Sequence, residues 1–318
     1  MNWFDDFNEC VRARASLAPF TWFKIGGPAR WLAEPRDEAQ LAGLVRRCRD
    51  TGVQTRLLGR GANLLVCDDE VNALVIRLTG PAFEDVNEPN DGTLRVGAGA
   101  DLMHLVKNAA KQGRAGLEAL AGIPATLGGA VRMNCGGKHG EIGPLVISTR
   151  TMTRDGAIRD RRDLRFQYRR AMLDEGEIVL GAILKLTPAD PAATYERYRE
   201  IWLEKTSSQP GLKEQSAGCI FKNPPGGRAG MMIDQAGLKN FAVGRAKVSP
   251  VHANFIVAEE GATARDVLEL IAQVQERVAQ RFGVMLETEV EVWRGGGASP
   301  ASAPVRLRCE REAALTAV

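Results

Sequence analysis

A glycine-rich stretch, Gly116 to Gly137, constrains the fold of this chain more than any other feature. It reads GLEALAGIPATLGGAVRMNCGG, and its six glycines are separated mostly by small or apolar residues, together with Asn134 and the charged Glu118 and Arg132. This density of glycine indicates left-handed backbone or the close approach of another group to the main chain. The N–H groups suit a phosphate or the polar edge of a ring. An irregular buried loop at a domain junction is the alternative, and the stretch alone leaves both open.

A second glycine turn, Gly59 to Asn63 (GRGAN), lies between two apolar runs. Glycine and asparagine tolerate left-handed backbone, and the successive N–H groups of such a turn can form a nest for an anion. The turn is not a dinucleotide fingerprint, because a strand-like run rather than a helix follows it. A plain hairpin turn is the alternative.

Size and composition narrow the class of protein. At 318 residues the chain is long enough for two or three units. Its net charge of +3, without a basic run, gives no reason to expect nucleic acid and suits a small anionic ligand. The acidic N-terminus lacks a signal-peptide core, and no apolar run approaches the ~18 residues of a membrane span. Six cysteines without CxxC spacing predict free thiols in a cytoplasmic protein, with neither a metal site nor disulfides.

Local patterns predict the order of elements. Asp37 with Gln40, and Thr263 with Asp266, are typical of capping boxes that start helices. A hairpin is predicted across Asp155-Gly156. Further helices are expected at 101–113, 192–205 and 231–235, and strands at 73–78, 93–96, 178–186, 216–223, 254–258 and 284–293. We expect a first unit over residues 1–188, a second over 189–293 and a disordered tail over 294–318.

Three groups could carry chemistry. In the last predicted strand, Glu289 shares one face with Glu287 and Glu291, which is a solvated face unless it lines a cleft. Cys219 is either an inert buried thiol or an acid, since a thiol with a pKa of ~8.5 releases its proton more readily than a hydroxyl. Arg169 is either a surface cation or a planar clamp for a carboxylate.

Taken together, several motifs make the sequence similar to a known family. They occur in the order KIGGPA, LLGRGANLLV, GLEALAGIPATLGGAVRMNCGG, FQYRR, SAGCIFKNP, HANFIV and LETEV. From about residue 21 to residue 293 the chain resembles the UDP-N-acetylenolpyruvoylglucosamine reductase family. The short interval between Arg169 and Ser216 resembles the branch of that family, type II, without an extra substrate-covering loop.

The resemblance implies an α+β fold. It consists of a two-subdomain FAD-binding unit of the vanillyl-alcohol-oxidase/PCMH type and a smaller α+β substrate-binding domain. FAD would be reduced by NADPH and would then reduce the enolpyruvyl group of UDP-N-acetyl-3-O-(1-carboxyvinyl)-glucosamine to UDP-N-acetylmuramate. Both glycine regions would form the flavin cradle through Gly59, Arg60, Gly61, Ala62, Asn63, Gly122, Ile123, Pro124, Gly128, Gly129, Asn134 and Gly136.

The resemblance also assigns the reacting groups. It places a catalytic arginine at Arg169, a catalytic carboxylic acid at Glu289, and a proton donor at Cys219, where the family usually has serine. The expected substrate contacts are Tyr168, Asn223 and His252, and the lysines between residues 205 and 213 are expected near phosphate. The expected partner is a small UDP-sugar, with no nucleic acid, membrane or obligate protein partner evident.

Two other functions stay open at this point. Another flavin enzyme of the same fold, an oxidase of a different small substrate, would need its own pocket and often carries a covalent flavin link. His139 is the histidine nearest the glycine stretch that such a link could use. A catalytically silent homologue is the second alternative, and the presence of both Arg169 and Glu289 speaks against it.

Overall fold

A computed structural model describes residues 4–89 and 92–295 of the chain. The helices are α1 (Glu38–Thr51), α2 (Pro81–Glu84), α3 (Leu102–Lys111), α4 (Leu127–Arg132), α5 (Pro191–Ser208), α6 (Ala229–Gln235) and α7 (Ala264–Phe282). Among these described helices none is both long and apolar enough to cross a bilayer. The predicted tail from residue 296 onward lies outside the described residues.

The strands are short and belong to several sheets. They are β1 (Val11–Ser16), β2 (Pro28–Ala33), β3 (Thr55–Leu57), β4 (Leu64–Val66), β5 (Val71–Ile76), β6 (Val86–Asn87), β7 (Thr93–Gly97), β8 (Arg114–Ala115), β9 (Gly136–Gly137), β10 (Gly140–Glu141), β11 (Val146–Met152), β12 (Ile158–Arg161), β13 (Phe166–Gln167), β14 (Arg170–Ala171), β15 (Ile178–Lys185), β16 (Thr187–Pro188), β17 (Ala242–Val243), β18 (Ala246–Val248), β19 (Ile256–Ala258) and β20 (Glu291–Trp293).

The first layer is a mixed sheet in the order β1-β2-β5-β3, covered by α1. The β2, β5 and β3 strands run parallel, whereas β1 is antiparallel to β2. Helix α1 begins where Asp37 accepts a hydrogen bond from the backbone of Gln40, and it ends at Gly52 in the left-handed conformation. The Gln40 side chain accepts from the backbone of Arg36 instead of Asp37, so the predicted reciprocal capping box is not formed there.

The second layer is an antiparallel sheet in the order β12-β11-β15-β7-β6. Strands β11 and β12 pair across the predicted Asp155-Gly156 turn, which confirms that hairpin. Helices α3, α4 and α5 contribute to the core on this sheet, and Tyr198 and Ile201 of α5 are buried in it. Helix α5 therefore packs with the first unit, although it follows the predicted boundary at residue 188; the division into units stays a prediction.

The remaining residues form a small sheet, β17-β18-β19, against α6 and α7. Helix α7 begins with the predicted capping box, since Thr263 and Asp266 each accept from the other's backbone. Strand β20 leaves this unit and pairs in parallel with β4 of the first unit.

Two predicted strands are wrong in extent. Of residues 284–293, only Glu291–Trp293 form a strand, and Thr288 makes a single bridge to Phe221. Residues 216–223 form no regular strand and make isolated bridges, from Cys219 to Phe255 and from Phe221 to Thr288. The side chain of Asn254 takes both the N–H and the carbonyl of Phe221, so these two groups are not available to a regular ladder.

Candidate active site

The turn from Gly59 to Asn63 is not a hairpin turn. Strand β3 before it pairs with β5, whereas β4 after it pairs with β20 in a different sheet. Gly61 has φ +64°, and a Cβ there would lie 2.4 Å from the carbonyl oxygen of Phe20, so only glycine fits. The backbone N–H groups of residues 59–63 find no acceptor within the described residues. This arrangement is an open nest for an anion.

The two glycine regions meet at this turn. A Cβ on Gly59 would lie 2.8 Å from the hydroxyl oxygen of Thr126, the residue that caps α4. Arg60 forms an ion pair with Asp101 over 2.7 Å, and Asp101 also caps α3. The predicted convergence of Gly59–Asn63 with the segment that holds Gly128 and Gly129 is therefore present in the structure.

Lys205 of α5 fastens the middle of the glycine stretch, beside Gly122, Ile123 and Pro124. Its Nζ donates to the carbonyl of Ala121 over 2.6 Å, and burial lowers the pKa of Lys205 to about 8. The sequence predicted a phosphate contact for this lysine, but the described structure directs its amine at main-chain carbonyls. Its distance in sequence from the loop left no local indication of this contact.

Arg169 is the second residue of the two-residue turn between β13 and β14. Its φ is +57°, a region that non-glycine residues rarely adopt. The side chain is 19% exposed, and its Nη1 donates to the carbonyl of Gly136 over 2.8 Å. Its Nε lies 2.7 Å from Oε1 of Glu289 without hydrogen-bond alignment, so this contact is an ion pair. The preceding Tyr168 is exposed.

Glu289 is set apart from its neighbours in sequence. Its side chain is 12% exposed, whereas Glu287 and Glu291 are exposed residues. The backbone N–H of Glu289 donates to Ile220, and its carbonyl accepts from the Asn63 side chain over 3.1 Å. Burial raises the pKa of the Glu289 carboxyl, and Arg169 offsets part of that rise. The carboxyl group thus holds a proton more readily than an exposed glutamate does.

Cys219 is the third residue with a predicted catalytic role. The residue is half-buried and forms a single bridge to Phe255. The pKa of the Cys219 thiol is raised to about 12, chiefly by burial and also by Glu289, while Arg169 and a hydrogen bond with Asn254 offset part of the rise. The thiol is therefore protonated at neutral pH, and the charges of both members of the ion pair act on it.

Asn134 does not present its side chain to a cofactor. It is 2% exposed, and its amide bonds to Glu141, to the carbonyl of Gln167 and to the N–H of Gly143. The predicted cofactor contact is therefore not made by this side chain.

The predicted substrate residues of the second unit already hold structural bonds. Asn223 accepts from the backbone of Ala229 at the start of α6. His252 accepts from the backbone of Asn254 through Nδ1, and burial lowers the pKa of its imidazole. A neutral ring with its other nitrogen protonated is the form that this bond selects. Their contacts with substrate stay predictions.

The residues fit an FAD cofactor. The open N–H nest at residues 59–63 suits a pyrophosphate, and Arg60 adds a cation beside it. The buried hydroxyl of Ser216, three residues before Cys219, has no partner within the described residues. Among those residues no group of three His, Cys, Asp or Glu side chains could hold a metal ion.

Comparison with known proteins agrees with this geometry. Residues 29–161 match a sequence family described as FAD binding domain. Residues 209–293 match one described as UDP-N-acetylenolpyruvoylglucosamine reductase, C-terminal domain. Fold and site together therefore define an α+β flavoenzyme with an FAD-binding unit, which confirms the expected fold class and cofactor.

Individual relatives identify the family. A UDP-N-acetylenolpyruvoylglucosamine reductase from Heliobacterium modesticaldum is 42% identical over 291 residues, covering 90% of this chain and 92% of its own. One from Anaeromyxobacter dehalogenans is 41% identical over 298 residues, covering 92% and 89%. The crystal structure of the reductase from Thermus caldophilus superimposes with a TM-score of 0.79 at 40% identity, covering 89% of this chain and 100% of that one. This chain belongs to the UDP-N-acetylenolpyruvoylglucosamine reductase family.

Proposed function

We propose that this protein uses FAD and NADPH to reduce the enolpyruvyl group of UDP-N-acetyl-3-O-(1-carboxyvinyl)-glucosamine to UDP-N-acetylmuramate. The observation that carries the proposal is the Arg169–Glu289 ion pair beside a protonated Cys219, joined through Asn63 to an open anion nest. A place in the cytoplasm, and roles in peptidoglycan synthesis, cell shape and cell division, stay predictions that accompany this activity.

The side chains divide the work on the enolpyruvyl group. Bound FAD would supply the hydride that reduces the double bond. Negative charge then develops on the carbon that bears the substrate carboxylate, and Arg169 stabilises it with its half-buried guanidinium. Nη2 of Arg169, which has no partner within the described residues, is free to bind that carboxylate.

Protonation completes the reduction. Cys219 holds its proton at neutral pH and delivers it to the carbon, because its pKa of about 12 keeps the thiol form populated. Glu289, whose pKa is also raised, donates a hydrogen bond to the developing oxyanion when it is protonated. The resulting thiolate is stabilised by Arg169 until the solvent returns a proton.

A spectroscopic experiment tests this function. FAD-loaded protein is mixed with NADPH under anaerobic conditions, and the enolpyruvyl substrate is added afterwards. We expect the flavin absorbance to bleach with NADPH and to return with the substrate, giving UDP-N-acetylmuramate. Absorbance that returns only with oxygen would contradict the proposal and favour an oxidase. Acid precipitation should release the flavin, whereas flavin retained in the pellet would indicate a covalent link such as one to His139.

A further inference from the structure

Asn134 connects two hairpins, both of which contribute to the surroundings of Arg169. Its Nδ2 donates to Oε2 of Glu141 over 2.7 Å and to the carbonyl of Gln167 over 3.0 Å. Its Oδ1 accepts from the N–H of Gly143 over 3.0 Å. Glu141 belongs to the β9–β10 hairpin and Gln167 to the β13–β14 hairpin. One buried amide thus ties the two hairpins together.

Arg169 depends on both hairpins. Its backbone follows Gln167 in the β13–β14 turn, and its guanidinium donates to Gly136 in β9. Its left-handed backbone is strained, so surrounding contacts must hold it in place. Asn134 supplies such a contact. Its amide bonds to Gln167, two residues before Arg169, and Asn134 itself lies two residues before Gly136 in the sequence.

We propose that Asn134 is a positioning residue for the reduction of the enolpyruvyl group, acting through Arg169 without contacting the substrate; this inference rests on the proposed function. The residue type fits the task, because asparagine tolerates its φ of +42° and carries donors and an acceptor in one short side chain. Aspartate in its place would direct a second carboxylate at Glu141 and lose both donors.

The test compares two Asn→Gly variants of the FAD-loaded protein. Asn134→Gly retains the left-handed backbone and removes the amide. Asn240→Gly is the matched control, because Asn240 has φ +63° and is exposed in the C-terminal unit. For Asn134→Gly we expect kcat for the enolpyruvyl substrate to fall on the order of 10- to 100-fold, with little change in KM or in flavin reduction by NADPH. Unchanged kcat would overturn the inference.

A double-mutant cycle separates positioning from a merely structural role. In an Arg169→Ala background, Asn134→Gly should lower the residual rate by less than about 2-fold, because the residue through which it acts is gone. If Asn134→Gly lowers the residual rate by about 10- to 100-fold in that background as well, the proposal is overturned.

Hydrogen exchange keeps this inference distinct from the proposed function. Without substrate, the amides of residues 166–171 should exchange faster in Asn134→Gly and unchanged in Asn240→Gly. Faster exchange supports the link to Arg169 even if the wild-type protein reduces no enolpyruvyl substrate, a result that would count against the proposed function alone. Unchanged exchange in Asn134→Gly would overturn the link itself.

Discussion

The side-chain amide of Asn63 donates to the backbone carbonyl of Glu289 over 3.1 Å. Asn63 ends the glycine turn predicted to hold FAD, and Glu289 carries the candidate acidic group. The backbone of Asn63 in turn accepts from the N–H of Glu291. Cofactor turn and acidic residue are therefore parts of one hydrogen-bonded assembly, although they come from opposite ends of the sequence.

Gly61, in the same turn as Asn63, should be sensitive to substitution. Gly61→Ala should lose FAD and lower the free energy of unfolding, because the new Cβ would lie 2.4 Å from a main-chain oxygen. The ratio of flavin to protein absorbance after purification measures the loss. Gly283→Ala is the control, with φ +68° and nothing within 4 Å of its Cβ. It should cost about 1 kcal/mol and keep full FAD content. Equal flavin content in the two variants would contradict this account of the turn.

Replacement of Cys219 should separate the two halves of the reaction. Cys219→Ala removes the proposed acid, so we expect enolpyruvyl reduction to fall on the order of 10²-fold or more. Reduction of the flavin by NADPH should be spared, because it uses no proton from this residue. Stopped-flow absorbance follows both steps in one sample. Cys219→Ser should keep activity with a shifted pH profile, and an unimpaired Cys219→Ala protein would refute the assignment.

The backbone of Arg169 predicts a difference between two inactive variants. Arg169→Gly and Arg169→Ala both remove the partner of Glu289, but only glycine relieves the strain at φ +57°. The glycine variant should therefore be more stable than the alanine variant by about 1 kcal/mol. Urea unfolding of both proteins measures this difference. Equal midpoints would show that the turn relaxes when the guanidinium is absent.

Glu289 should make stability depend on pH. Its folded pKa is raised above the ordinary value of 4.5, so the native state binds more protons than the unfolded state over the interval above 4.5. This contribution to stability is complete below the unfolded pKa and is lost as the pH rises through the folded pKa. Glu289→Gln should reduce the loss of stability over this pH interval. Urea unfolding midpoints between pH 4.5 and 7.5 measure the difference.

Features with local causes could be predicted from the sequence. The Thr263–Asp266 capping box and the hairpin at Asp155-Gly156 depend on neighbours in the chain, and both are confirmed. The predicted strands at 216–223 and 284–293 were wrong in extent, because alternation of side chains does not determine whether backbone partners form a continuous ladder. The two segments exchange scattered backbone hydrogen bonds, and Asn254 takes both backbone groups of Phe221 with its side chain.

The same distinction between local and distant causes applies to the candidate site. The types of residue at Arg169, Cys219 and Glu289 indicated chemistry, and family resemblance supplied their roles. The contacts of Asn134 and Lys205 could not be predicted, since their partners are backbone groups whose positions depend on the folded loops. Which of three spaced glutamates turns inward likewise depends on Asn63 and Ile220, far away in sequence.

The parallel pairing of β20 with β4 attaches the end of the second unit to the first unit. The chain therefore passes between the two units twice, once after α5 and once at β20, so the units are not joined by a single hinge. Cutting the chain at the first crossing should leave fragments that still associate, because separation of the two units would require β20 to detach from β4.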